Sequence, residues 1–287
     1  MKFTFAVTLA TFGCTISLTQ VQAEPSVKSA QGNYRLLAPV TNPSVQSPHL
    51  SNSELLSFIQ PEAAKKGAPG RRKGGGSFGG GNQCRAVNLR LTALVPGIEE
   101  TLSGREETSA AIASLSVRGL TAQGTPTFWF YVPYSSTSTL SAEFVLINEQ
   151  NKLVHKENYL LTGTPGIVRI RPSSTSILEV GKDYRWVFSI LCDPNDRSAD
   201  MYVDGWVQRI APSPNLATQL RTAIPEKRAV LYAKEGLWHE TLTTLVEELH
   251  PTEPKKATLL MTNLLRSVGL DGIAQQPIVE CCNPKNN

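Results

Sequence analysis

Between Thr125 and Ile210 the chain is a succession of short runs rich in β-branched and aromatic residues. Each run is bounded by Gly, Pro, Asn or Ser, and no helical period intervenes. Runs of this kind form antiparallel strands, because without crossover helices a parallel sheet cannot be wound. The stretch opens with Thr125-Pro126-Thr127-Phe128-Trp129-Phe130-Tyr131-Val132-Pro133-Tyr134 and closes with Met201-Tyr202-Val203-Asp204-Gly205-Trp206-Val207-Gln208-Arg209-Ile210. Strands are predicted over 87–95, 126–134, 141–148, 152–161, 166–171, 184–192 and 201–210. Asn148 to Asn151 and Gly163 to Gly166 supply turns between them. The expected fold is mainly β with an α appendage. It is an antiparallel two-sheet sandwich of the immunoglobulin or fibronectin kind over 84–211, followed by a small helical region. Gly97 to Gly124, polar and Ser/Thr-rich, reads as a long loop with one short helix near Ala110.

Period two assigns the aromatics to faces. Phe128, Phe130 and Val132 share one face of their strand, and Trp129 and Tyr131 share the other. Tyr202 and Trp206 share a face with Asp204 and Gln208. The 184–192 run is apolar on both faces, which requires cover on both. After Ile210 the period lengthens to that of a helix. Ser213-Pro214 reads as a cap and first turn, Arg228 to Glu235 as a helix broken by Gly236, and Trp238 to Leu249 as the next. A last helix, capped by Thr252, ends at Gly269. Such short helices are not stable alone. The region 212–275 is therefore expected to dock on the sandwich as the second cover of its aromatic face.

The ends have a different character. Lys2, the uncharged apolar run Phe3 to Leu18, and Val21-Gln22-Ala23 describe a signal peptide over 1–23, cleaved after Ala23. A lipoprotein reading at Cys14 fails because Phe12 stands where a small residue is wanted. Residues 24–83 read as a disordered, basic, Gly-rich tether, with one short helix over Ser53 to Gln60, and 276–287 as a disordered tail. Export to the periplasm or beyond places Cys84, Cys192, Cys281 and Cys282 in an oxidising compartment. A bridge between neighbours is strained, so Cys84 with Cys192 is the expected pair.

No familiar catalytic constellation is present. Gly75-Gly76-Ser77-Phe78-Gly79 spells a nucleophile elbow but lacks the strand that must precede one. His49, His155, His239 and His250 have no metal-ligand spacing, and His239-Glu240 lacks the second histidine of a zincin. All four are expected to face solvent. Asp193, Asn195, Asp196 and Asp200 could offer oxygens to calcium, but loop aspartates more often cap turns. No metal or other cofactor is expected. A net charge of +4 is too small and too local to argue for a nucleic-acid partner, and the first apolar run is too short for a secure membrane span.

Several words of the chain resemble a cyanobacterial family of exported proteins, the domain of unknown function numbered nine-two-eight. They include Arg71-Arg72-Lys73-Gly74-Gly75-Gly76, Leu91-Thr92-Ala93-Leu94-Val95-Pro96, Pro126 to Pro133, Ala142-Glu143-Phe144, Cys192-Asp193-Pro194, Gly205-Trp206 and Gly236-Leu237-Trp238. The resemblance implies location and architecture; the family has no activity to carry over. Arg228 to Pro251 is also similar to a single tetratricopeptide hairpin through Tyr232, Gly236 and Trp238. The expected function is non-enzymatic interaction or scaffolding with another exported or envelope protein. Alternatives are a carbohydrate-binding module using Trp129, Tyr131, Tyr202 or Trp206 as a stacking platform, or an enzyme of unrecognised type.

Overall fold

An unbroken aromatic run can be a strand only if both of its faces are covered, and every residue of Phe128–Val132 is buried. The computed structural model describes residues 56–61, 69–74, 84, 88–100, 114–137, 140–174 and 177–284, all within the unit Leu50–Asn287. In it Phe128–Val132 is β4, the middle of a three-stranded sheet between β1 (Thr92–Ala93) and β7 (Gly166–Ile170). A seven-stranded sheet packs on one face of that small sheet. Its order is β10 (Asn283–Pro284), β6 (Leu153–Leu160), β5 (Ser141–Asn148), β8 (Asp183–Leu191), β9 (Met201–Arg209), β3 (Ser114–Thr121) and β2 (Gly97–Glu100).

Alternation along β4 decides what meets what. The Phe128 ring lies 4.7 Å from that of Phe144, and Phe130 stacks 4.1 Å from Phe188. On the opposite face, Trp129 donates its indole N–H to Thr243 Oγ1 at 3.1 Å, under the helices. The layers are thus large sheet, small sheet, helices. Among the described residues the architecture is the expected one, two sheets with helices following.

The cover falls elsewhere than the pattern suggested. The helices lie on β4, whereas in β8 Trp186, Phe188 and Ile190 enter the core and Val187 and Leu191 stay half-buried on the outer face. The strand expected over 87–95 is regular only at Thr92–Ala93. Gly97 to Gly124, expected as a loop, carries the antiparallel hairpin β2–β3, and the Ala110 helix lies outside the described residues. β3 then runs parallel to β9, from Arg118 beside Trp206 to Thr121 beside Arg209, so the large sheet is mixed. Polar residues survive inside β3 because they are paired there, as Arg118 is with Asp183 at 2.7 Å.

Helix starts and stops follow sequence chemistry. Ser213 Oγ accepts from the Leu216 amide to open α1 (Pro214–Leu220). Helix α2 (Pro225–Lys234) ends at Gly236, whose φ of +72° a side chain would resist, and whose Cβ would strike Pro61. Helix α3 (Trp238–Thr243) continues as a π-helical segment, Thr244–Leu249. Helix α4 (Pro254–Ser267) starts after Glu253 rather than at Thr252. The tetratricopeptide-like spacing of α2 and α3 is a likeness of pattern.

Described residues on both flanks of the sandwich are built into its body. Pro69, Arg71 and Lys73 bridge Ser116, Asp204 and Thr92, which ties the two sheets together. Arg72 donates to the carbonyl of Val268, the residue that caps the C-terminus of α4, at 2.7 Å. Leu56 to Pro61 is not helical, and Phe58 meets Trp238 edge-on at 5.0 Å. The described part of the tail, expected to lack order, runs along β7 through Ile167 and Ile278 and pairs as β10 with β6. It covers strand edges that would otherwise invite another chain. Cys84 is bonded to Cys192 with Cα atoms 5.3 Å apart. Contrary to expectation, Cys281 and Cys282 are also bonded to each other, with Cys282 at positive φ on a tail that β6 and β7 hold in place. The signal-peptide segment lies outside the described residues. Among those described, no helix is long and apolar enough to cross a membrane.

Candidate functional site

Most of helix α3 is taken out of water: Trp238, His239, Glu240, Thr241 and Leu242 are all buried. Polar groups taken out of water in this way must find partners within the fold. Glu240 Oε1 finds three. It accepts from Thr121 Oγ1 at 2.6 Å, from the Ala122 amide at 2.7 Å and from the Gln123 amide at 3.1 Å, so it caps the turn leaving β3. Glu240 Oε2 has no donor among the described residues. Burial pushes the carboxyl above the ordinary range, against the pull of those three donors.

His239 Nδ1 lies 3.1 Å from the Thr127 carbonyl and carries the proton donated to it. Burial holds its pKa down at about 4, so the ring is neutral at pH 7. The ring sits edge-on to Phe128 and against Gly119, where a Cβ would lie 2.7 Å from Nε2. Only glycine lets β3 pass so close to it.

A cleft of about 380 Å³ opens between the β3–β4 turn and the helices, and both residues line it. Arg171, at the end of β7, donates to Thr127 Oγ1 at 2.8 Å and pairs with Glu247 Oε2 at 2.7 Å. Arg169 reaches the other Glu247 oxygen at 3.3 Å, and Arg228 pairs with Glu248. Tyr232 from α2 closes one wall, and burial, then the nearby Glu240, push its phenol up. The wider π-helical turn brings Thr244, Glu247 and Glu248 to the same opening. The result is a polar cavity rich in acceptors.

The residues singled out from sequence are distributed differently. Trp129 and Tyr131 are buried beneath the helices, at 4% and 5% exposure. Tyr202 and Trp206 lie on the outer face of β9, Tyr202 36% exposed and Trp206 half-buried. The four rings therefore belong to two separate sheets and form no single platform. The Arg71 guanidinium sits 4.5 Å over the Tyr202 ring, and Trp206 Nε1 donates to the Pro69 carbonyl at 3.2 Å. In the aspartate loop, Asp193 accepts from the Asn195 amide and Asp196 caps the 3₁₀ turn Arg197–Ala199 through Ser198. Asp200 pairs with Arg197, and Asn195 is exposed. Among the described residues no cluster of His, Cys, Asp or Glu is placed to hold a metal.

His239 corrects the expectation of solvent-facing histidines. His155 is half-buried against Glu157 at 3.2 Å and His250 is half-buried, while His49 and Gly75 to Gly79 lie outside the described residues. In the sequence Glu240 is weighed only beside His239, as part of an incomplete zincin motif. Its only further signal is a carboxylate set between the apolar positions Trp238 and Leu242.

A family model described as Domain of Unknown Function (DUF928) matches residues 68–278. Among curated proteins and among solved structures nothing matches the chain.

Proposed function

We propose that this chain, which belongs to the Domain of Unknown Function (DUF928) family, is an exported, non-enzymatic interaction module. It recognises another exported or envelope protein through the cleft between the β3–β4 turn and the helices. The observation that supports this most is Glu240, a residue lining the cleft whose buried Oε2 has no donor among the described residues. An unpaired buried polar group is costly, and a partner that supplies the donor recovers that cost. The Arg171, Glu247 and Glu248 side chains beside it are already held in ion pairs, which makes the rim a preorganised surface.

Export is supported by Lys2, the Phe3 to Leu18 run and Ala23, and the disulfides suit an oxidising compartment. N-terminal sequencing of the exported protein is expected to begin at Glu24; a retained Met1 contradicts export by cleavage. For the cleft, the mature chain and a Gln123→Arg variant of unchanged melting temperature, which sets a bulky cation at the cleft mouth, are compared as baits in the native exported fraction. A partner recovered by the first and lost by the second supports the reading, and equal recovery contradicts it.

A carbohydrate-binding reading keeps support from Tyr202 and Trp206, which stand four residues apart on the outer face of β9. It predicts quenching of tryptophan fluorescence by a polysaccharide, abolished in Trp206→Ala.

A further inference from the structure

We infer that the group this cleft receives is a protonated primary amine, which in a protein partner is a lysine side chain. The inference rests on the reading of the cleft as a recognition site and goes beyond it by naming what enters.

Three observations point the same way. The first is charge. Among the described residues, Arg171 is the one cationic side chain lining the cleft, against the carboxyl groups of Glu240, Glu247 and Glu248. His239 adds no charge, because its ring is neutral and its Nδ1 proton is given to Thr127. The flanking cations are committed elsewhere: Arg169 and Arg171 to Glu247, and Arg228 to Glu248. Glu240 alone has no ion-pair partner among the described residues.

The second is hydrogen-bond capacity. Glu240 Oε1 is filled by three donors, the set that suits an ionised carboxylate, yet Oε2 has none among the described residues. Once ionised, Glu240 lacks at Oε2, among the described residues, a donor that also brings positive charge. An ammonium group has three donors and no acceptor, whereas a hydroxyl would add lone pairs to a wall already rich in them. A carboxylate ligand would meet like charge.

The third is shape. A cavity of about 380 Å³ has room for an aliphatic stem, and the Tyr232 ring and Pro126 supply apolar wall for it. Lysine commonly lays its methylenes on such surface while its head reaches a polar end. Arginine is a poorer fit, since its planar fork seeks a bidentate carboxylate and Oε1 is already occupied.

Binding has a proton signature. Burial holds the free Glu240 carboxyl up, and an ammonium beside it pulls it down, so the complex releases a proton. Tyr232 and Arg228 from α2, His239 beside Glu240 on α3, Arg171 after β7, and Glu247 and Glu248 are the other titratable or charged groups facing the site among the described residues. Affinity therefore rises with pH as Glu240 ionises, and falls once the amine deprotonates near about pH 10.4.

The test is calorimetric titration of the mature chain with three probes, in two buffers of different ionisation heat. The probes are acetyl-Gly-Lys-Gly-amide, its norleucine counterpart and free cadaverine. The lysine peptide is expected to bind about tenfold or more tighter than the norleucine peptide and to release protons. In Glu240→Gln, checked for an unchanged fold by circular dichroism, that affinity falls about tenfold or more and proton release disappears. Cadaverine weaker than the peptide assigns the amine to a macromolecule, and cadaverine equal or tighter assigns it to a free diamine. Norleucine binding as well as lysine, no amine binding, or an unchanged Glu240→Gln affinity overturns the inference. If the amines fail while Gln123→Arg still loses its partner, only the ligand class falls. If that variant keeps the partner too, the recognition reading falls with it.

Discussion

Glu240 and His239 are neighbours on one helix, and the same burial acts on them with opposite consequences for stability. The unfolded chain releases the Glu240 proton near 4.5, while the folded chain holds it to higher pH. Stability from this group is therefore lost as pH rises from about 4.5 through the raised folded value. His239 works the other way: the unfolded ring takes its proton near 6.5, and the folded ring refuses it until about 4. Its contribution is lost as pH falls through that window, roughly 3 kcal/mol by pH 4. Thermal unfolding from pH 4 to 8 should show Glu240→Gln gaining on wild type as pH rises. His239→Asn, which keeps a donor toward Thr127, should flatten the acid side. Parallel curves for all three proteins would contradict the burial. Glu240→Ala should instead lower stability throughout, since it strands the Thr121 hydroxyl and two amides at about 1–3 kcal/mol each. None of this is visible in the two letters His239-Glu240. Their spacing excludes a zincin, but what buries them is the β3–β4 turn, which is far away in sequence.

At the scale of elements, patterns that depend on one strand or one helix were legible and pairings were not. Phe128 to Val132 announced a strand covered on both faces, and Ser213-Pro214 announced a helix start, because in each the cause is local. The hairpin β2–β3 was hidden because Ser116, Arg118 and Gly119 read as loop chemistry. They are tolerated in a buried strand only through particular partners, Asp183 for Arg118 and the His239 ring for Gly119. The tail was hidden for the same reason, since its polar letters say nothing of the β7 edge beside it. The disulfide from Cys84 to Cys192 spans 108 residues and in the chain-entropy view contributes about 4–5 kcal/mol. Replacing Cys192 with Ser should lower the denaturant midpoint accordingly, and an unchanged midpoint would contradict the staple. Truncation after Gln275 bares β7 and the end of β6, and size-exclusion chromatography is expected to show dimers or larger species. A truncated chain that stays monomeric and equally stable would contradict an edge-covering tail.

For the whole molecule, the small sheet lies between two covers and cannot be dry without both. The large sheet takes Phe128 and Phe130, the helices take Trp129, and Arg72 ties the end of α4 to the segment that bridges the sheets. The cleft forms where these parts meet, with Glu240 bonded to the turn after β3 and Arg171 to Glu247. On this account the helical region is part of one cooperative body, and the candidate site exists only while that body is intact. Native-state hydrogen exchange on the full mature chain tests this most directly. Amides of β4 and of the buried centre of α4, Leu260 to Leu265, are predicted to exchange at one common free energy, equal to that of global unfolding. Helical amides that open at clearly lower free energy while β4 stays protected would show a separable appendage and contradict the account.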